Sequence, residues 1–112
     1  MADRSRELAA DIKSRAAALG FDACGFATAR RVDEEARNRY RQWLSQGRHG
    51  CMSWAARHEE VRDDPRLLLD GAQTVIMVAM NYYPALLQRP DAPQFAWYAY
   101  GRDYHEVLRQ RL

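Results

Sequence analysis

The sequence predicts an α+β domain, with helices layered on a small sheet, from three observations. Residues 74–80 (TVIMVAM) form the most apolar, β-branched run in the chain, the composition of a strand buried on both faces. Leu8, Ile12, Ala16 and Leu19 recur at spacings of four, four and three, which places them on one face of a helix. Between that helix and a second helical pattern lies a short, small-residue apolar stretch, so helices and strands follow one another along the chain.

The first helix is expected near 5–19, opening at Ser5 or Arg6 and closed by Gly20 just past its end. Phe21 to Thr28 (FDACGFAT) reads as a strand near 22–28, in which Gly25 permits a close backbone approach. Val32, Ala36, Tyr40, Trp43 and Leu44 restore helical spacing over 33–46, between Asp33 as N-cap and Gly47 as stop. In the mixed segment 48–65, Met52, Trp54 and Ala55 suit a short packed helix, and Asp63-Asp64-Pro65 sets a cap before Pro at a first helical turn. A short helix RLLLDG then ends at Gly71, and the strand 74–80 follows as the centre of the core. Three prolines between Asn81 and Gln94 deny backbone donors and predict a long loop. FAWYAY at 95–100 alternates like a third strand, and Gly101-Arg102-Asp103 turns into a last helix over 103–112 capped by Asp103. Its apolar face of Val107, Leu108 and Leu112 runs to the last residue with no stop signal, which predicts an incomplete domain.

At 112 residues, 47% hydrophobic and 29% charged, the chain fits one globular domain and excludes collagen-like, low-complexity and disordered classes. A net charge of +2 is too mild to argue a nucleic-acid partner by itself, and nothing points to DNA. Cys24 and Cys51 stand far apart with no ligand spacing, so no zinc or iron–sulfur site can be built from this chain alone. The charged N-terminus has no apolar signal core, and no apolar run approaches the ~20 residues of a membrane span. The expectation is a cytoplasmic chain with both thiols free.

Chemistry concentrates in three places. GRDYH at 101–105 delivers Arg102, Asp103, Tyr104 and His105 to a helix N-terminus, where unpaired amides and the macrodipole attract anions. A capping Asp103, a packed Tyr104 and a surface His105 explain the same letters equally well. Arg62 sits beside the Asp-Asp-Pro break, where a bidentate contact to a ligand amide or phosphate is within reach, although ion pairs with Glu59 or Asp63 compete for it. Asn81 and Tyr82 leave the end of the 74–80 strand, a common place for ligands in α/β sheets, and the 95–100 aromatics could wall a flat cofactor or simply pack. His49 and His58 lie nine apart, unlike a helical metal pair, and no Walker, GxGxxG or Ser/His/Asp pattern is present.

These clusters, in this order, resemble the N-terminal part of epoxyqueuosine reductase, an oxidoreductase of queuosine biosynthesis in tRNA. The carriers are LGFDACGFA at 19–27, the stretch from Trp43 to His58 with its HG-x-M-x-W-x-x-RH string, RDDPRLLLDGA at 62–72, VIMVAMNYYP at 75–84 and YAYGRDYHEVLRQRL from Tyr98. The resemblance implies a cobalamin-binding region in which Arg62 and Ala96, Trp97 and Tyr98 face the corrin. It also implies that Asn81 and Tyr82 line the same crevice and that Asp103, Tyr104 and His105 shape it. Reduced cobalt would act on the epoxide of a modified tRNA base while a carboxylic acid protonates it. Physically, a flat macrocycle rimmed with amides suits aromatics, backbone groups and an arginine.

The chain departs from the family in carrying Trp97 where an arginine is usual and Cys51 where an acidic residue is usual. By the resemblance, the proton-donating aspartate lies beyond Leu112 and the 4Fe-4S cluster motifs further on, so no catalytic residue is expected within 1–112. The expectation is an N-terminal domain, truncated, split or excised, inactive alone and working with a separately encoded C-terminal part. A stand-alone corrinoid- or tRNA-binding module, or a non-functional remnant that aggregates through its exposed apolar helix, are the alternatives.

Overall fold

The structure, a computed structural model, describes residues 2–112 and is α+β. Its elements are α1 (Ala2–Ala18), β1 (Ala23–Thr28), α2 (Glu34–Ser45), α3 (Glu59–Asp63), β2 (Thr74–Ala79) and α4 (Tyr104–Arg111), with 3-10 turns at Ser53–Ala56, Pro65–Leu67 and Trp97–Ala99. β1 and β2 pair in a two-stranded antiparallel sheet. Its register is closed at the ends by Asp22 N donating to Ala79 O and Ala29 N donating to Gln73 O, both at 2.9 Å. The chain divides into two compact units, one of residues up to Gly25 with Met77–Leu112, the other Phe26–Ile76.

In the first unit, α1 starts three residues earlier than the stripe of apolar residues suggests and ends in a tight turn. Gly20, at φ +92, lets Phe21 N reach back to Ala16 O at 3.1 Å, a conformation that an L side chain adopts only with strain. Arg111 of α4 donates to Gly20 O at 3.1 Å and to the Met80 sulfur at 2.8 Å, so the α1 turn and the end of β2 share one guanidinium. Of the predicted stripe only Ala16 is buried, Leu8 and Leu19 being 59% and 51% exposed. α4 is capped as expected: the Asp103 carboxylate accepts from His105 N at 2.9 Å.

The second unit is organised by α2. Asp33 caps it by accepting from Ala36 N at 2.9 Å, as its place before the apolar pattern predicts. Tyr40 donates its hydroxyl to Ala55 O, which ties the Ser53–Ala56 turn to α2 around Ala55, buried to 2% exposure. Arg41 reaches α3, pairing with Glu59 at 2.8 Å and with the buried Asp63 at 2.9 Å. Asp63 in turn accepts Val32 N through its carbonyl at 2.7 Å. Instead of a helix RLLLDG, the chain makes one 3-10 turn with Pro65 at its start and Asp64 as cap, and Leu67, Leu68 and Leu69 stand 61–73% exposed.

Two further expectations fail. The 74–80 strand is not the centre of a core: β2 has one sheet neighbour, and Ile76 and Met77 are 52% and 54% exposed. A strand is buried on both faces only when layers cover both, and apolar content alone does not supply them. The 95–100 strand is absent as well, replaced by the Trp97–Ala99 turn with Ala99 N on Ala96 O and Tyr100 N on Trp97 O. Alternation yields a strand only where a partner edge satisfies its N–H and C=O groups. Here the Gln88 side-chain oxygen takes both the Phe95 N–H and the Tyr100 hydroxyl, at 2.8 Å each, in place of a ladder.

Candidate functional site

An open hollow of about 380 Å³ lies in the first unit, lined by Val78, Met80, Tyr82, Tyr98, Tyr104 and Leu108. Its construction follows from two periodicities. Val78, Met80 and Tyr82 are spaced by two along and just beyond β2, so an extended chain presents all three to one side. Tyr104 and Leu108 are i, i+4 on α4 and share a face. Tyr98 comes from the 3-10 turn and meets Tyr104 edge to face, ring centroids 6.1 Å apart at 83°, a preferred aromatic geometry.

The approach to this hollow is a loop ordered by side-chain amides. Asn81 N donates to the Asp22 carboxylate at 2.7 Å, and the Asn81 side chain accepts from Tyr83 N at 2.9 Å, bending the chain as it leaves β2. Gln88 donates to Pro93 O, and Gln94 donates to Arg89 O and Ala92 O, so three prolines' worth of missing donors are replaced from side chains. Tyr83 packs edge-on against Trp97 at 5.0 Å.

At the foot of α4, Asp103 and His105 form a pair, with His105 Nδ1 2.8 Å from the carboxylate, and the imidazole stacks on Tyr104 at 4.0 Å. Hydrogen bonds from the His105 backbone N–H first, and then from its ring, hold the Asp103 carboxyl below the ordinary carboxylate range. The pair therefore braces the ring of Tyr104 by stacking against it, and acts on the hollow through that ring.

Of the sequence-predicted site residues, Tyr82, Tyr98 and Tyr104 line the hollow together. Asn81 shapes the chain at its edge, Asp103 and His105 brace Tyr104, Ala96 accepts the first bond of the 3-10 turn, and Trp97 packs on Tyr83. Arg62 belongs to the other unit. Its guanidinium donates to Trp54 O at 3.1 Å and Arg57 O at 3.3 Å and lies 5.5 Å from the Trp54 ring centroid. The acids that competed for it in the sequence, Glu59 and Asp63, are taken by Arg41 instead. Val78, Met80 and Leu108 were not singled out by chemistry, although the spacing 78, 80, 82 and the pair 104, 108 carried the signal.

A second hollow, of about 570 Å³ and lying in the other unit, is charged: Arg31, Arg41, Glu60, Asp63, Asp64, Arg66 and Leu67 line it. A two-pronged contact with Arg66, at 2.9 and 2.7 Å, holds the Asp64 carboxyl down to about 2. No group of three His, Cys, Asp or Glu side chains that could hold a metal ion occurs among the described residues. No helix among them is long and apolar enough to cross a membrane.

Residues 62–112 match a family model described as Epoxyqueuosine reductase QueG, DUF1730. The epoxyqueuosine reductase of Leadbetterella byssophila is 43% identical over 107 residues, covering 96% of this chain and 35% of that protein. Those of Yersinia pestis and Escherichia coli are 42% and 39% identical, each covering 95% of this chain and 27% and 29% of their own lengths. The chain thus spans about a third of the length of the curated relatives it matches. No solved structure matches it.

Proposed function

From the premise that this chain is related by sequence, over nearly its whole length, to the epoxyqueuosine reductases, we propose that it contributes the aromatic wall of a cobalamin site to an enzyme converting epoxyqueuosine to queuosine in tRNA. The observation that supports this reading is the hollow of Val78, Met80, Tyr82, Tyr98, Tyr104 and Leu108. Three tyrosine rings and three aliphatic or thioether side chains suit one apolar side of a flat macrocycle, and the hollow's volume fits part of such a group, near the low end of ordinary ligand pockets. The residues therefore fit a corrinoid. Tyr98 and Tyr104 would hold it by ring contact, Tyr82 and Met80 from the β2 side, and Asn81 at the edge. When bound, cobalamin would supply a low-valent cobalt centre for reductive opening of an epoxide.

The chain's own residues bind and exclude water in this reading; none donates the proton. Asp103, the carboxylate nearest the hollow in sequence, is held ionised by His105 and is suited to bracing Tyr104, not to general-acid work. Two free cysteines cannot ligate a 4Fe-4S cluster. The 112-residue chain is accordingly proposed to bind without turning over, electrons and the acid coming from other polypeptide. A cytoplasmic setting, where thiols stay reduced and tRNA is modified, accords with free Cys24 and Cys51.

The test is a visible-absorbance titration of the 112-residue chain with hydroxocobalamin. A saturable band shift that Tyr98→Ala and Tyr104→Ala abolish is expected. No shift, or one indifferent to both substitutions, refutes the assignment of the hollow.

A further inference from the structure

The C-terminal end of α2 carries a small groove, of about 260 Å³, whose lining has no carboxylate: Arg39, Gln42, Trp43, Gln46 and Arg48. Most cations of this region are already engaged. Arg37 donates to Val32 O, Arg39 pairs with Glu35, and Arg41 pairs with Glu59 and Asp63. Arg48, by contrast, has no hydrogen bond or ion pair from its guanidinium among the described residues, and neither do the amides of Gln42 and Gln46. Three of the helix-end carbonyls that would repel an anion already accept backbone N–H groups: Gln46 N on Gln42 O, Gly47 N on Leu44 O and Arg48 N on Trp43 O. What the groove offers is therefore a free guanidinium and two amides one helical turn apart. Trp43 supplies its aromatic lining, with the Tyr40 and His49 rings each 5.7 Å from it, centroid to centroid.

We infer that this groove takes one nucleotide of a single-stranded RNA loop, with the phosphate on Arg48, the base edge on the Gln42 and Gln46 amides and the base against Trp43. The inference rests on the proposal that the substrate is a tRNA. An amide presents a donor and an acceptor together, which matches a base edge, whereas an acidic peptide would call for donors alone. A fixed aromatic surface adds the sequence-tolerant contact that unpaired bases make and paired ones do not. The volume admits a single nucleoside and no folded element.

The test is fluorescence anisotropy of a labelled RNA hairpin with a seven-nucleotide loop, against a blunt RNA duplex of equal length, over a series of salt concentrations. The hairpin should bind more tightly than the duplex. Arg48→Ala should weaken hairpin binding about tenfold and reduce the salt slope by about 0.7, the contribution of one phosphate on a single strand. Arg48→Lys should restore the slope, and Gln42→Ala with Gln46→Ala should weaken binding without changing it. Arg6→Ala, on α1, should do neither. Equal losses from Arg48→Ala and Arg6→Ala, or equal binding of hairpin and duplex, would overturn the groove while leaving the tRNA proposal standing. Failure of the hairpin to bind at all would overturn both. Far-ultraviolet circular dichroism of each variant guards against unfolding.

Discussion

The two larger hollows of this molecule are opposites in how their polar and apolar groups are met. In the charged one, two of the three lining acids have a cation at hand, Arg41 on Asp63 and Arg66 on Asp64. In the aromatic one, Tyr98 and Tyr104 meet edge to face while much of the ring surface lies open, Tyr82 and Tyr98 being 63% and 55% exposed. Charges that neutralise each other locally make a region self-sufficient, while ring surface left uncovered keeps a standing gain from whatever covers it. The charged hollow thus reads as architecture and the aromatic one as a place for a ligand.

The largest effect expected is on the architecture. Arg41→Ala leaves the buried Asp63 carboxylate without its cation and should cost about 2 kcal/mol in urea denaturation, with no selective effect on corrinoid uptake. An equal loss of uptake at preserved stability would erase the distinction. Tyr98→Ala should do the reverse: it removes an exposed ring and costs under about 1 kcal/mol of stability, while hydroxocobalamin uptake falls by tenfold or more.

Gln88→Ala sharpens the comparison at the loop. It deprives Phe95 N–H and the Tyr100 hydroxyl of their shared acceptor and should cost about 1 kcal/mol locally, read as faster hydrogen exchange at Phe95 and weaker uptake. The smallest effect is in pH. The Asp64 carboxyl lies at about 2 in the folded chain against an ordinary value of 3.8, because Arg66 bonds its ionised form. A depressed folded value means stability that is fully present above the ordinary value and is lost as pH falls through about 2. Thermal melts between pH 5 and 2 should show this loss in the wild-type chain and less of it in Asp64→Asn, the change being small because both partners meet solvent.

Local signals in the sequence were the dependable ones. Asp33 and Asp103 cap the helices they were expected to cap, because a side chain accepting an N–H two or three residues on needs nothing from the rest of the fold. The strand near 22–28 and the helix over 33–46 lie within a residue or two of their expected places for the same reason. Long-range choices were not legible. The competition for Glu59 and Asp63 was won by Arg41, eighteen and twenty-two residues away, while Arg62 turned to backbone carbonyls. Among the site residues, Tyr82 was legible at a strand end, Tyr98 in an aromatic run and Tyr104 at a helix N-terminus. Met80, Val78 and Leu108 became part of the site only once β2 and α4 presented those faces to one space.

The single clearest division is at the two apolar runs, 74–80 and 95–100. Composition by itself predicted a strand at both, since β-branched and aromatic side chains favour extended chain over helix. Whether each became a buried strand was decided by neighbours. β2 found β1 on one edge and stayed half open, and FAWYAY found the Gln88 amide instead of an edge and closed into a turn. A backbone N–H or C=O must be satisfied by some partner, and only the tertiary structure chooses which.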